Sequence, residues 1–216
     1  MNKLKSAKTK LGNEIELIGD NNAKTLIIGV FHGDEPQGEF LINEYLKKHI
    51  PKNLLFIPCL NPDGMQMNKR TNSNGVDLNR NFPTKNWGKN EGENATCNDA
   101  NTDYYGGKSA GSEIETQFLI DTIAEFKPKL ILTLHAPYKV VNYDGPAQNI
   151  AEKISKIINY PVEASIGYPT PGSFGTYAGV ERQIPTITLE LDETCPVEDL
   201  IDPMYKIFEL LKSEDL

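Results

Sequence analysis

The sequence predicts an α/β layer architecture, and three observations predict it. Short apolar runs alternate along the chain with segments of helical periodicity. Two of those runs, Thr25-Leu-Ile-Ile-Gly-Val-Phe31 and Lys129-Leu-Ile-Leu-Thr-Leu134, are apolar on both faces, as central strands covered by helices should be. No repeat, low-complexity tract or linker-like change of composition divides the 216 residues, so the chain reads as one domain over 1–216.

In chain order, strands are expected near 14–18, 24–31, 53–59, 129–134, 162–166 and 185–191, each a short apolar or alternating run. Helices are expected at 36–49, 112–127, 146–159 and 197–213. The helix at 112–127 opens on Ser112-Glu-Ile-Glu115, a capping-box pattern. Ile114, Phe118, Leu119, Ile123 and Phe126 follow at helical spacing, and Pro128 stops it. The stretch 61–110 is rich in Asn, Gly, Asp and Lys and has little periodicity; a compact domain rarely carries such a stretch unless its loops have a task.

Bulk composition narrows the function. A net charge of −8 argues against nonspecific binding to nucleic acid or to an anionic membrane, though not against a small anionic substrate. The first ten residues are basic but no apolar segment follows them, so no secretory signal is read and a cytoplasmic setting is expected. The three cysteines, Cys59, Cys97 and Cys195, are widely spaced and odd in number, which suits reduced thiols.

Chemistry concentrates in few residues. Of three histidines, His32 directly follows the first buried run, with Glu35 three residues on, and His135 ends the second. Strand ends are where open α/β sheets build ligand sites. Two imidazoles and a carboxylate with a fourth position open are the ligand set of a hydrolytic zinc ion, although each histidine alone reads as well as a satisfied core or loop residue. His49, beside Lys47 and Lys48 near a helix end, reads as a solvent-facing residue favourable to the helix dipole. Glu190 interrupts the apolar pattern of Thr186-Ile-Thr-Leu-Glu190-Leu; it is either a general base or a strand-end residue in water. Only three arginines occur, and two of them, Arg70 and Arg80, fall in the long loop region, which favours recognition of a carboxylate or oxyanion over plain surface charge. Gly106-Gly-Lys-Ser109 lacks the preceding glycine and strand of a phosphate-binding loop, and Gly172-Ser-Phe-Gly175 is a turn.

Five segments in order, His32-x-x-Glu35, Asn61-Pro-Asp-Gly64, Gly75-Val-Asp-Leu-Asn-Arg-Asn-Phe82, His135 and Thr188-Leu-Glu190, resemble the zinc carboxypeptidase family M14 across residues 25 to 191. The resemblance implies a single α/β domain with a central mixed, mostly parallel twisted β-sheet flanked by helices. It further implies one zinc ion held by His32, Glu35 and His135, with Glu190 as general base and acid. Arg70 matches the arginine that polarises the scissile carbonyl, Asn79 and Arg80 match the clamp on the terminal carboxylate, and Tyr168 matches the tyrosine that closes over the bound residue. The substrate implied is a small peptide with a free terminal carboxylate.

Arg70–Pro83, Gly111–Gln117 and Ser165–Gly175 resemble more narrowly the murein tripeptide amidase branch, which releases meso-diaminopimelate from its γ-D-glutamyl partner during cytoplasmic wall recycling. Gly175 falls about where the family sets the floor of its side-chain pocket. A glycine there disfavours a specificity acid and a bulky apolar floor alike, and leaves room for a long polar side chain. The segment 88–105 follows no pattern of the family. Three other readings remain open: an N-acyl amino acid deacylase of the aspartoacylase or succinylglutamate desuccinylase type, a general metallocarboxypeptidase, and a non-catalytic muropeptide-binding protein.

Overall fold

The apolar runs become the centre of one eight-stranded sheet. A computed structural model describes residues 2–89, 98–164 and 170–213. Its strands are β1 (Lys3–Lys8), β2 (Glu14–Gly19), β3 (Thr25–Ile28), β4 (Leu54–Ile57), β5 (Leu130–His135), β6 (Val140–Asp144), β7 (Val162–Glu163) and β8 (Thr186–Glu190). They lie in the order β1-β2-β4-β3-β5-β8-β6-β7. The ladders β3–β4, β3–β5, β5–β8 and β6–β7 are parallel; β1–β2, β2–β4 and β6–β8 are antiparallel. The sheet is thus mixed and mostly parallel, and β3 and β5 at its centre are buried along their whole length, as apolarity on both faces requires.

Helices cover both faces. They are α1 (Gln37–Lys48), α2 (Pro62–Met67), α3 (Ile114–Phe126), α4 (Gln148–Ile158) and α5 (Ile201–Ser213). One apolar cluster joins Leu132, Leu134, Ile187 and Leu189 of the sheet to Leu41 and Tyr45 of α1, Ile150 and Ile154 of α4, and Met204 and Phe208 of α5. The other cluster joins Ile28, Ile57 and Ile131 to Phe118, Leu119 and Ile123 of α3 and to loop aromatics Phe82, Phe174 and Tyr177. On that second face the loops 61–89 and 98–113 are gathered beside α3, and the polar ends of β5 and β8 project there.

Several expectations need correction. The capping box does not form: Glu113 stands at the cap of α3 without a side-chain cap bond. The Ser112 hydroxyl instead donates to Glu113 Oε1 at 2.5 Å and accepts from Asn81 Nδ2 at 3.1 Å. The Glu115 carboxylate accepts from Asn72 Nδ2 at 3.3 Å, so the needs of buried loop amides override the local cap. His49, at the C-terminal cap of α1, is half-buried rather than fully solvent-facing: its ring stacks on Tyr45 at 4.4 Å and its Nδ1 donates to the Tyr45 carbonyl at 3.1 Å. The strands β1 and β6 and the short α2 were not expected. β1 is the lysine-alternating edge strand Lys-Leu-Lys-Ser-Ala-Lys, whose half-exposed side chains give little apolar signal. Of the strand expected at 162–166, residues 162–163 form β7 and residues 165–166 lie outside the described residues.

Candidate active site

The site begins at the end of β3, where the backbone turns sharply. Val30 adopts φ 52, an unusual conformation for a β-branched residue, and directs Phe31 and His32 out of the strand. Gly33 packs against the backbone of α2, where an added Cβ would stand 2.0 Å from the carbonyl carbon of Gly64; only glycine allows that approach. The turn places Glu35 beside His32, and β5 delivers His135 from the neighbouring strand end. Candidate ligand atoms of His32, Glu35 and His135 all lie within 4.8 Å of one another.

The geometry of these three suits a cation. His32 Nδ1 is 2.7 Å from Glu35 Oε1, His135 Nδ1 is 3.1 Å from Glu35 Oε2, and the two Nδ1 atoms are 3.3 Å apart. His32 Nε2 lies 3.3 Å from Asp77 Oδ1, and Asp77 is fully buried. Although burial opposes it, Arg70 and His32 hold the Asp77 carboxyl well below the usual range, so it is an acceptor and His32 carries its proton on Nε2. That leaves a lone pair on Nδ1 aimed at a carboxylate, which is repulsive unless a proton or a metal ion lies between them. Burial draws His135 below its ordinary value, towards the neutral form that ligation requires. For His32 burial acts the same way and is the largest single influence, but Glu35 and Asp77 together outweigh it and raise the affinity of this ring for a cation. The donor set fits a metal ion with two imidazoles and one carboxylate.

The other expected residues converge on the same place, except Tyr168, which lies outside the described residues. Glu190 is paired in register with His135 across the β5–β8 ladder and is 7% exposed. Its Oε2 is buried with no hydrogen-bond partner among the described residues, and burial followed by the nearby Glu35 carboxylate pushes its pKa up to about 8. A cation in the triad would draw that value down. Arg70 donates from Nε and Nη2 to Asp77 Oδ2 at 3.1 and 3.0 Å, which leaves Nη1 near His32 Nδ1 at 3.3 Å and Glu35 Oε1 at 3.7 Å. Asn79 and Arg80 sit on a single helical turn, Leu78–Arg80, capped by Asp77 Oδ1, which accepts from the Asn79 backbone N–H at 2.8 Å. Asn79 Oδ1 accepts from the Phe174 backbone N–H at 2.8 Å, and Arg80 Nη1 donates to the Asn79 carbonyl at 2.7 Å. These residues line a cavity of about 220 Å³ together with Tyr104, Tyr138 and Glu193.

Three residues that shape the site were not singled out from the sequence. Asp77 is the hub that joins His32, Arg70 and Asn79. Its one local signal was a polar residue at the cap position of a short turn. Tyr104, from the segment without a recognisable pattern, lies with its ring 5.3 Å from the Arg70 guanidinium and 5.9 Å from that of Arg80. Asp144, at the end of the unexpected β6, corrects the reading of Gly175. The space that glycine leaves is not open, because an added Cβ would stand 2.1 Å from Asp144 Oδ2.

The sequence profile of the zinc carboxypeptidase family matches residues 9–153. The chain belongs to that family. It is 35% identical over 159 residues to murein peptide amidase A of Escherichia coli (strain K12), an alignment covering 70% of this chain and 64% of that protein. The counterpart in Vibrio campbellii is 35% identical over 181 residues, covering 80% of this chain and 71% of that one. The crystal structure of murein-tripeptide amidase from Escherichia coli O157 superposes with a TM-score of 0.82 at 27% identity, covering 97% of this chain and 91% of that one. Carboxypeptidase A from Helicoverpa armigera shares the fold at a TM-score of 0.70 and 19% identity, covering 98% of this chain and 69% of that one. The described site holds His32 and His135, Glu35 and Glu190, and Arg70 and Arg80 around one cavity.

Proposed function

We propose that this chain, as one catalytic domain over 1–216, is a zinc-dependent amidase of the cytoplasm. It would hydrolyse the γ-D-glutamyl–meso-diaminopimelate bond of murein tripeptide and release diaminopimelate. The observation that carries the reading is the convergence of an unpartnered buried Glu190 oxygen with His32, Glu35, His135, Arg70 and Arg80 on one small cavity. The likeness to murein peptide amidases supports the choice of substrate.

In this reading His32, Glu35 and His135 hold one zinc ion. When bound, zinc supplies Lewis acidity that acidifies a water molecule and polarises the scissile carbonyl. Glu190 takes a proton from the attacking water on its free oxygen and delivers it to the nitrogen of the leaving amine. Arg70, anchored through Nε and Nη2 by Asp77, turns Nη1 towards the cavity, where it donates to the oxygen on which negative charge develops. Arg80 and the adjoining Asn79 hold the terminal carboxylate and so set which peptide bond reaches Glu190. Tyr104 stacks over both guanidiniums and keeps them on the same side of the cavity. No helix among the described residues is long and apolar enough to cross a membrane.

The test is incubation of L-alanyl-γ-D-glutamyl-meso-diaminopimelate with the purified protein, with and without a zinc chelator, and detection of free diaminopimelate by mass spectrometry. Release that the chelator abolishes and added zinc restores is the expected result. No release from zinc-supplemented protein would overturn the reading.

A further inference from the structure

The segment before α3 brings a tyrosine onto the loop that carries the arginines. The Asp77 backbone N–H donates to the Tyr105 carbonyl at 2.8 Å, and Asn81 Nδ2 donates to the Gly106 carbonyl at 2.7 Å. Two successive carbonyls are thus fastened to the residues that bracket Asn79 and Arg80. Tyr104, just before them, is half-buried on the wall of the cavity. Its ring lies 5.3 Å from the Arg70 guanidinium and 5.9 Å from that of Arg80, so one aromatic ring rests against two cations that repel each other.

Stacking uses the ring and leaves the hydroxyl without a task. Among the described residues nothing forms a hydrogen bond to it. Burial opposes the charge on Arg70, while Asp77, Glu35 and lastly Tyr104 favour it, which puts the phenol within electrostatic reach of that guanidinium. The other tyrosine of the cavity, Tyr138, is 63% exposed, and water competes for its hydroxyl. Substrate chemistry supplies a partner for the Tyr104 hydroxyl. In a γ-glutamyl peptide the residue on the acyl side of the scissile bond keeps a free α-carboxylate. An α-linked peptide has a charge there only when that residue's own side chain is acidic. The cavity must then place three sites of negative charge: the terminal carboxylate, the developing oxyanion and this second carboxylate. Arg80 and Asn79 take the first, and Arg70 Nη1 takes the second while Nε and Nη2 are held by Asp77. Among the described lining residues Lys is absent and Arg70 and Arg80 are the only arginines. A neutral donor beside a guanidinium suits the third site, because it binds the carboxylate without drawing Arg70 away from the reacting oxygen.

We propose that the Tyr104 hydroxyl donates to the free α-carboxylate of the γ-linked residue, and so selects γ-glutamyl peptides over those in which that carboxylate is blocked as an amide. This rests on the amidase reading above and deepens it by naming what the acyl side of the cavity recognises. It also sets the chain apart from a general carboxypeptidase, whose substrates carry no such carboxylate to be read.

The experiment compares L-alanyl-γ-D-glutamyl-meso-diaminopimelate with its D-isoglutaminyl counterpart, in which the α-carboxylate is a carboxamide. For the native protein, kcat/KM for the free acid should exceed that for the amide by about 10–100-fold, the worth of a hydrogen bond to a charged acceptor. Tyr104→Phe keeps the ring against both arginines and removes only the O–H. In that variant the ratio should fall to within a few-fold, through slower hydrolysis of the free acid alone. An unchanged ratio in Tyr104→Phe overturns the proposal, as does an equal loss on both peptides, which a purely structural ring would give. Tyr138→Phe runs in parallel, and a ratio that falls there but not in Tyr104→Phe overturns it as well. Hydrolysis of both peptides at equal rates by the native protein would remove the role of Tyr104 and leave the amidase reading standing. Failure to hydrolyse either with zinc present would remove both.

Discussion

Replacing Asp77 by asparagine tests the hub of the site at nearly constant volume. The carboxylate accepts from Arg70 Nε at 3.1 Å, Arg70 Nη2 at 3.0 Å, the Asn79 backbone N–H at 2.8 Å and His32 Nε2 at 3.3 Å. All four partners are donors, and an amide offers one accepting oxygen and one opposing N–H group. If the oxygen serves Asn79 and His32, the new N–H faces the Arg70 guanidinium; if it serves Arg70, the N–H faces His32. Removing one partner of a buried pair costs about 3–5 kcal/mol. Arg70 is 23% exposed and keeps Glu35 at 3.7 Å, so the cost falls below that range, to about 2–3 kcal/mol. For a chain of this length that is a fall in Tm of about 4–12 °C in the metal-free protein. Loss of the acceptor on His32 Nε2 should also weaken zinc binding by about 10–100-fold. Calorimetric melting and competition with a chromogenic chelator read the two effects separately. The sign with pH is fixed, because the Asp77 carboxyl is held below its ordinary value. Its stabilisation is present above the unfolded value of about 4 and is lost as pH falls below it, so the difference in Tm should be full at pH 7 and shrink in strong acid. A variant that melts within about 1 °C of the native protein at pH 7, far less than a broken buried pair allows, and binds zinc equally well would refute Asp77 as the organiser.

Two further outcomes follow from single residues. Glu190→Gln should lower kcat by about 10²–10⁴-fold while metal analysis still finds one zinc per chain, since the base is not a ligand; activity above a tenth of native would exclude it as the proton carrier. Glu115 lies 3% exposed near Glu113 and Asp63, and burial, with those charges adding, pushes its pKa up to about 7 despite the bond from Asn72. A raised carboxyl favours the fold while protonated, so that contribution is complete below about 4.5 and lost as pH rises through about 7. Glu115→Gln should therefore stabilise the protein at pH 8 by up to about 3 kcal/mol and leave it unchanged at pH 4, a contrast that equal melting shifts at both pH values would contradict.

The layout of the sheet and the ligand group were legible because both are written in short-range pattern. The runs ending at Phe31 and Leu134 are apolar on both faces, which fixed β3 and β5 as central strands and placed His32 and His135 at the same edge. Glu190 was legible as a break in an alternating strand. Asp77 was not, because its role depends on three partners supplied by separate positions of the chain and by no periodicity of its own. Asp144 was missed for a related reason: Val-Val-Asn-Tyr-Asp was not recognised as a strand, so the face that Asp144 shares with Glu190 could not be assigned. The capping pattern at Ser112 misled because a tertiary bond from Asn81 competes for the same hydroxyl.

The Asn-rich stretch that looked irregular is ordered by its polar side chains, which act as surrogates for backbone partners. Asn61 Nδ2 donates to the carbonyls of Phe31 and Arg70, and its Oδ1 accepts from the Gly64 N–H. Asn72 Oδ1 accepts from the N–H groups of Asn74 and Val76, while Asn81 donates to the Gly106 carbonyl and accepts from the Glu113 N–H. Asp63 ties the same loop to the β1–β2 hairpin through Thr9, Asn13 and the Leu11 N–H. A loop that lacks a regular ladder leaves buried N–H and C=O groups to be satisfied, and short amide side chains satisfy them at fixed geometry. That network is what allows Arg70, Asn79 and Arg80 to be held on a loop as firmly as on a strand, as a site that must orient charge in advance requires. The composition that removes periodicity from this stretch was therefore the signature of its support. The same asparagines that erase helical and strand periodicity between 61 and 82 position the arginines on which the chemistry depends.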